Sequence, residues 1–154
     1  MQIANIDLHI INFFRRYSLP MARFGLFVIF FWFGSLKVAG LSPATPLVQS
    51  LFEHTIHFMS FSSFIIIFGA FEMLIGLLFV TKGFERVAIP LLAFHMVTTF
   101  MPLFFIPQST CSSTFIPTLE GQYIIKNLVI IATAMGVAAN LHPIKTKRQI
   151  INQH

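Results

Sequence analysis

The stretch from Ser62 to Thr81, SSFIIIFGAFEMLIGLLFVT, constrains this chain more than any other. Nearly all of it is apolar, and it carries a single charge, Glu72, close to its middle. At a rise of about 1.5 Å per residue, about twenty residues of helix cross a hydrocarbon core of roughly 30 Å. A lone carboxylate at that depth costs about 3 kcal/mol on insertion scales unless it finds a partner or a cavity. The rest of the chain therefore has to supply a counter-charge to Glu72.

The whole sequence has the same character. Hydrophobic residues make up 56% of its 154 positions and charged residues 10%, against about a quarter in soluble domains. Mean hydropathy is +0.81. These values exclude a soluble globule and a disordered chain, and they predict one polytopic membrane domain over residues 1–154. The net charge of +5 does not indicate nucleic acid, because the basic residues flank apolar runs and build no basic face with stacking aromatics. Cys111 is the only cysteine, so no intrachain disulfide or multi-cysteine metal site can form. The first twenty residues lack the continuous apolar core of a cleavable targeting segment.

Residues 1–20 place Ile6, Ile10, Phe14 and Tyr17 at helical spacing, with Asp7, His9, Asn12, Arg15 and Arg16 between them. This pattern predicts a short amphipathic helix in the membrane interface, broken at Ser18-Leu19-Pro20. Four spans follow, at about 21–38, 62–81, 87–106 and 122–141. Gly25 and Gly34 in the first, Gly69 and Gly76 in the second and Gly136 in the fourth suit close helix packing. Pro102 is expected to kink the outer end of the third span. The connections 41–61 and 107–121 are longer, and the first has room for a short helix from Leu47 onward.

Orientation follows from the basic residues. Arg15, Arg16 and Arg23 lie at the N-terminal side of the first span, Lys82 and Arg86 lie between the second and third, and Lys145, Lys147 and Arg148 follow the fourth. The two long connections carry none. The positive-inside rule then puts both termini and the 82–86 turn in the cytoplasm.

With that orientation the intramembrane polar groups fall in the outer half. Lys37 lies about 21 Å along the helix from Arg23, and Glu72 roughly 15 Å below the outer end of its span. His95 has a similar depth, and Lys126 and Asn127 sit about one turn inside the fourth span. The expected cluster is Lys37, Glu72, His95, Lys126 and Asn127, with Lys126 or Lys37 as the counter-charge. Such a cluster either holds the helices in register or forms a polar pocket open to the outer face. His54 and His57, three residues apart and close to Glu53, share a helix face, but two histidines and a carboxylate are too few to indicate a metal site. His95 has no second axial partner for haem, and no base near Cys111 would activate its thiol. No metal, cofactor or catalytic residue is expected.

The pieces FWFGSLKVAGLSP, FGAFEMLIGLLFV, HMVTTFMPLFFIP and GQYIIKNLVIIA, in that order, resemble the DoxX-like superfamily of four-span bacterial inner-membrane proteins, and within it the YkgB family. The resemblance covers about Phe24 to Asn140. It implies an all-α four-helix membrane bundle in the bacterial inner membrane, with recurring polar positions at Lys37, Glu72 and Lys126. It also implies a role in oxidant or reactive-chlorine stress defence. The leading expectation is a non-catalytic protein whose outer-facing polar pocket takes a small apolar or quinone-like molecule. The alternatives are a membrane subunit of an oxidoreductase that meets quinone, with the redox cofactor on a partner protein, and a small transporter working as a homo-oligomer.

Overall fold

The computed structural model describes residues 2–113 and 116–142, with side chains from Asn5 onward. Lys145, Lys147 and Arg148, which the orientation argument uses, lie outside the described residues. The chain is almost wholly helical. Helix α1 is Gln2–Val38, α2 is Thr45–Thr55, α3 is Phe61–Val80 and α4 is Glu85–Phe100. Two single turns, α5 (Pro102–Phe105) and α6 (Pro107–Thr110), lead into a short antiparallel pair, β1 (Cys111–Ser113) and β2 (Ile116–Pro117). Helix α7, Leu119–Ala139, completes the bundle.

Four helices are long and apolar enough to cross a membrane: α1, α3, α4 continued by α5, and α7. The protein is an integral membrane protein. The four form a ring in which α1 packs on α3 and α7, and α4 packs on the same two. Leu26 and Phe30 of α1, Ile75 and Phe79 of α3, Leu92 and Met96 of α4, and Ala134 and Val137 of α7 fill its centre. The outward faces carry large apolar side chains, among them Trp32, Phe94, Val97 and Val129, as a lipid-facing surface requires.

Sequence chemistry sets where each helix begins and ends. The Ser60 hydroxyl accepts the Ser63 N–H at the start of α3, and the Thr118 hydroxyl accepts the Gly121 N–H at the start of α7. Both satisfy donors that a helix start leaves free. Helix α1 closes through Gly40, at φ +72°. The Leu41 N–H donates to the Leu36 carbonyl and the Gly40 N–H to that of Lys37, the paired pattern of a glycine-terminated helix. Pro102 lacks the N–H that would continue α4, so the third span breaks after Phe100 and restarts as α5.

Helix α1 departs from expectation. No break forms at Ser18-Leu19-Pro20, and the helix runs 37 residues, with Pro20 inside it. Proline removes one rung, the bond to the Arg16 carbonyl, while the neighbouring rungs carry the helix through. Residues 5–18 are exposed on all sides. The polar connection 107–121 is also more ordered than a loop, and Cys111 is a half-buried strand residue.

The tightest contact in the bundle is between α1 and α3. A Cβ built on Gly34 would lie 2.5 Å from the Gly69 carbonyl oxygen, and one on Gly76 would lie 2.9 Å from the Phe31 nitrogen. Three glycines thus let two antiparallel backbones touch, where dispersion rather than hydrophobic burial drives association. Gly25 and Gly136 play no such part, since a Cβ at either meets nothing within 4 Å.

Candidate functional site

Glu72 lies on the inward face of α3, one turn below Gly69. A Cβ on Gly69 would sit 2.9 Å from that of Lys37, so the missing side chain makes room for the lysine stem. Lys37, in the last turn of α1, runs down this space and brings Nζ to 2.6 Å from Glu72 Oε2. His95 comes from α4 on the other side and places Nε2 2.9 Å from Glu72 Oε1. Each carboxylate oxygen therefore has its own partner, and three spans meet at one side chain.

Little water reaches the triad. Lys37, Glu72 and His95 expose 6, 5 and 4% of their surfaces, so solvent screens the ion pair weakly. Lys37 and Glu72 neutralise each other, which removes the main cost of a charge in the bilayer. His95 is held at both ends: Thr99 Oγ1 lies 3.3 Å from Nδ1 and 2.9 Å from the His95 carbonyl oxygen. With Nε2 as the donor to Glu72, Nδ1 is an acceptor, and the single Thr99 hydroxyl proton serves either Nδ1 or the His95 carbonyl, which also accepts from the Thr98 hydroxyl at 2.7 Å. Among the described residues every buried side-chain nitrogen and oxygen has a partner.

Aromatic rings enclose the imidazole. Phe68 stacks on it with centroids 5.2 Å apart and planes 14° apart, and Phe30 meets it edge-on at 5.3 Å. Lys37 Nζ also sits over the Phe68 ring, 5.6 Å from its centroid. Phe64 stacks on Phe68 at 5.5 Å, and Phe52 of α2 packs on Phe64 at 4.9 Å. An unbroken column of rings thus joins the short helix α2 to the triad.

The remaining sequence candidates lie elsewhere. Lys126 is exposed, with Nζ 4.9 Å from the Tyr123 ring centroid, and it does not meet Glu72. Helix α7 packs on α1 and α4, which puts it across the ring from α3. Half-buried Asn127 makes no side-chain hydrogen bond among the described residues. His54 and His57 do not share a helix face, because α2 ends at Thr55. His54 Nδ1 meets the Ser50 carbonyl, and Glu53 accepts from Gln49.

A second ion pair, half-buried at Arg23 and buried at Glu85, has no counterpart among the sequence candidates. Arg23 of α1 meets Glu85 of α4 at 2.5 Å and donates to the Phe79 and Val80 carbonyls of α3 at 2.7 and 3.2 Å. Glu85 also accepts the Gly83 N–H at 2.8 Å. One guanidinium thereby ties the middle of α1 to the end of α3 and the start of α4, and satisfies the last carbonyls of α3. Read along the chain, Arg23 and Glu85 look like ordinary end-of-span charges. The available signal was that alternating spans bring both to the same end of the bundle.

Fold and site together define a four-span membrane bundle with a desolvated Lys–Glu–His triad in its interior. Compared with known proteins, the chain matches no family model, no curated protein and no solved structure.

Proposed function

We propose that this chain is a bacterial inner-membrane protein of the DoxX-like type, allied to the YkgB family, and that it supports oxidant defence without catalysing the chemistry itself. The Lys37–Glu72–His95 triad is its working centre. The observation that carries this reading is the convergence of three ionisable side chains from three spans on one buried carboxylate. Intramembrane ionisable groups are costly and concentrate where a membrane protein works. The order of the four sequence pieces quoted above supplies the family and the stress-defence role.

In this reading both termini and the 82–86 turn face the cytoplasm, and α2 with the β1–β2 pair caps the outer side. Arg23, Lys82 and Arg86 at one end of the ring support that orientation. Residues 5–18, exposed around the whole helix, continue α1 past the cytoplasmic end of the ring, with Arg15 and Arg16 nearest the lipid headgroups. The ring column from Phe52 to His95 links the outer cap to the triad. A displacement of α2 opens a way for a small apolar or quinone-like molecule to reach the Glu72 carboxylate.

The test is survival under hypochlorous acid. Cells lacking the protein are complemented with wild type or with Glu72→Gln at equal membrane abundance, and gently extracted protein is screened for retained quinones and lipids. Wild type is expected to restore survival and Glu72→Gln to fail. Full rescue by Glu72→Gln, accompanied by a lower melting temperature, would reduce the triad to a device that fixes helix register.

A further inference from the structure

A second site stands apart from the triad, on the opposite side of α4. A groove of about 510 Å³ runs between α4 with α5 and α7, lined by Leu92, Ala93, Val97, Phe104, Ala134 and Met135 among others. The size falls within the range of small-molecule sites, but the walls are almost wholly apolar. Small side chains line part of it, Ala93 on α4 and Ala134 and Ala138 on α7. The break at Pro102 turns α5 so that Met101 and Phe104 wall the outer-cap end.

The other end has a different chemistry. Ile89 and Ala138 are the lining residues there. Arg86 precedes Ile89 by one helical turn, and His142 follows Ala138 by one. Arg86 is exposed and donates one N–H to the His142 carbonyl. Its other N–H groups have no partner among the described residues. Lys82 is exposed in the same turn. The adjacent carboxylate, Glu85, points inward to Arg23 and does not cancel the positive charge. The lined length of α4 from Ile89 to Phe100 is roughly 17 Å at about 1.5 Å per residue, against roughly 15 Å for one leaflet of the hydrocarbon core. A whole acyl chain therefore fits below the Met101–Phe104 wall.

We propose that this groove is a specific site for an anionic phospholipid of the leaflet on the Arg86 side. One acyl chain lies between α4 and α7, and the headgroup phosphate is held by Arg86 with Lys82 beside it. A guanidinium offers a phosphate two parallel N–H donors, and a basic pocket between spans at the headgroup level is suited to anionic lipid.

The test uses the full-length protein in nanodiscs containing equal phosphatidylglycerol and phosphatidylcholine, with the retained lipids weighed by native mass spectrometry. Wild type is expected to retain one phosphatidylglycerol in preference to phosphatidylcholine. Arg86→Gln should lower that preference about fivefold, the equivalent of one basic contact at the membrane surface. Ala93→Phe, which fills the groove and leaves the cation in place, should release both lipids while helical content and melting temperature hold. Equal retention of the two lipids by wild type, or an unchanged preference in Arg86→Gln, would overturn the proposal. Displacement of the lipid by millimolar inorganic phosphate would overturn the acyl-chain part, and a dimer that Ala93→Phe abolishes would assign the groove to a second copy.

Discussion

At the scale of single residues, the energetics of Glu72 are dominated by what its removal leaves behind. Taking one partner from a buried ion pair leaves an uncompensated charge and costs about 3–5 kcal/mol, whereas replacing both by apolar residues of similar volume is close to neutral. Lys37→Met alone should therefore lower unfolding stability in detergent by about that amount. The pair Lys37→Met with Glu72→Leu should recover most of it, giving a large coupling energy in a double-mutant cycle. Additive losses would show that the 2.6 Å contact contributes nothing as a pair. Thr99→Val removes a partner of the His95 ring and should cost about 1 kcal/mol, well below the loss at Lys37.

At the scale of elements, the helix ends and the α1–α3 contact carry separable contributions. Thr118 caps α7 and also donates its hydroxyl to the Ser109 carbonyl at 2.9 Å. Thr118→Ala should lower stability by about 1–2 kcal/mol, read from the melting temperature, with helical content nearly unchanged. Gly34→Val is a harsher change, because its Cβ would meet the Gly69 carbonyl oxygen at 2.5 Å. The helices would have to separate, which also draws Lys37 away from Glu72. Gly25→Ala meets no neighbour and should be neutral or slightly stabilising, since alanine is the better helix former by about 1 kcal/mol. Equal effects at Gly34 and Gly25 would contradict the close approach of α1 and α3.

At the scale of the whole molecule, two ion pairs hold the ring, one toward each end. Arg23 with Glu85 joins α1, α3 and α4 at one end, and Lys37, Glu72 and His95 join the same three helices farther along. Helix α7 packs on α1 and α4 through apolar residues such as Ala134 and Val137, and Thr118 at its start is tied to the Ser109 and Thr110 carbonyls. Cysteine labelling tests the orientation. With Cys111 replaced by Ser, a cysteine at exposed Ser112 should react with an impermeant maleimide added outside intact cells, and one at exposed Lys82 should not. Reaction at Lys82 alone would invert the proposed topology.

Much of this architecture was legible along the chain. Apolar run length and composition act locally, through the free energy of transfer into a bilayer, so the number of spans and the need for a partner at Glu72 follow from sequence alone. The continuous α1 was not legible, because Pro20 reads as a break and only the unbroken ladder around it shows otherwise. Which side chain answers Glu72 was open as well, since Lys37 and Lys126 both had suitable depth. Depth is a coordinate along a helix, while partnership depends on which helices are neighbours and how each is rotated. Gly34, Gly69 and Gly76 bring α1 against α3, the ring order sets α7 across from α3, and these long-range contacts select Lys37 and His95 and leave Lys126 at the surface. The sequence by itself determined a four-span membrane protein with a charge that had to be met; only the tertiary structure decided what meets it, because packing between distant segments has no local signature.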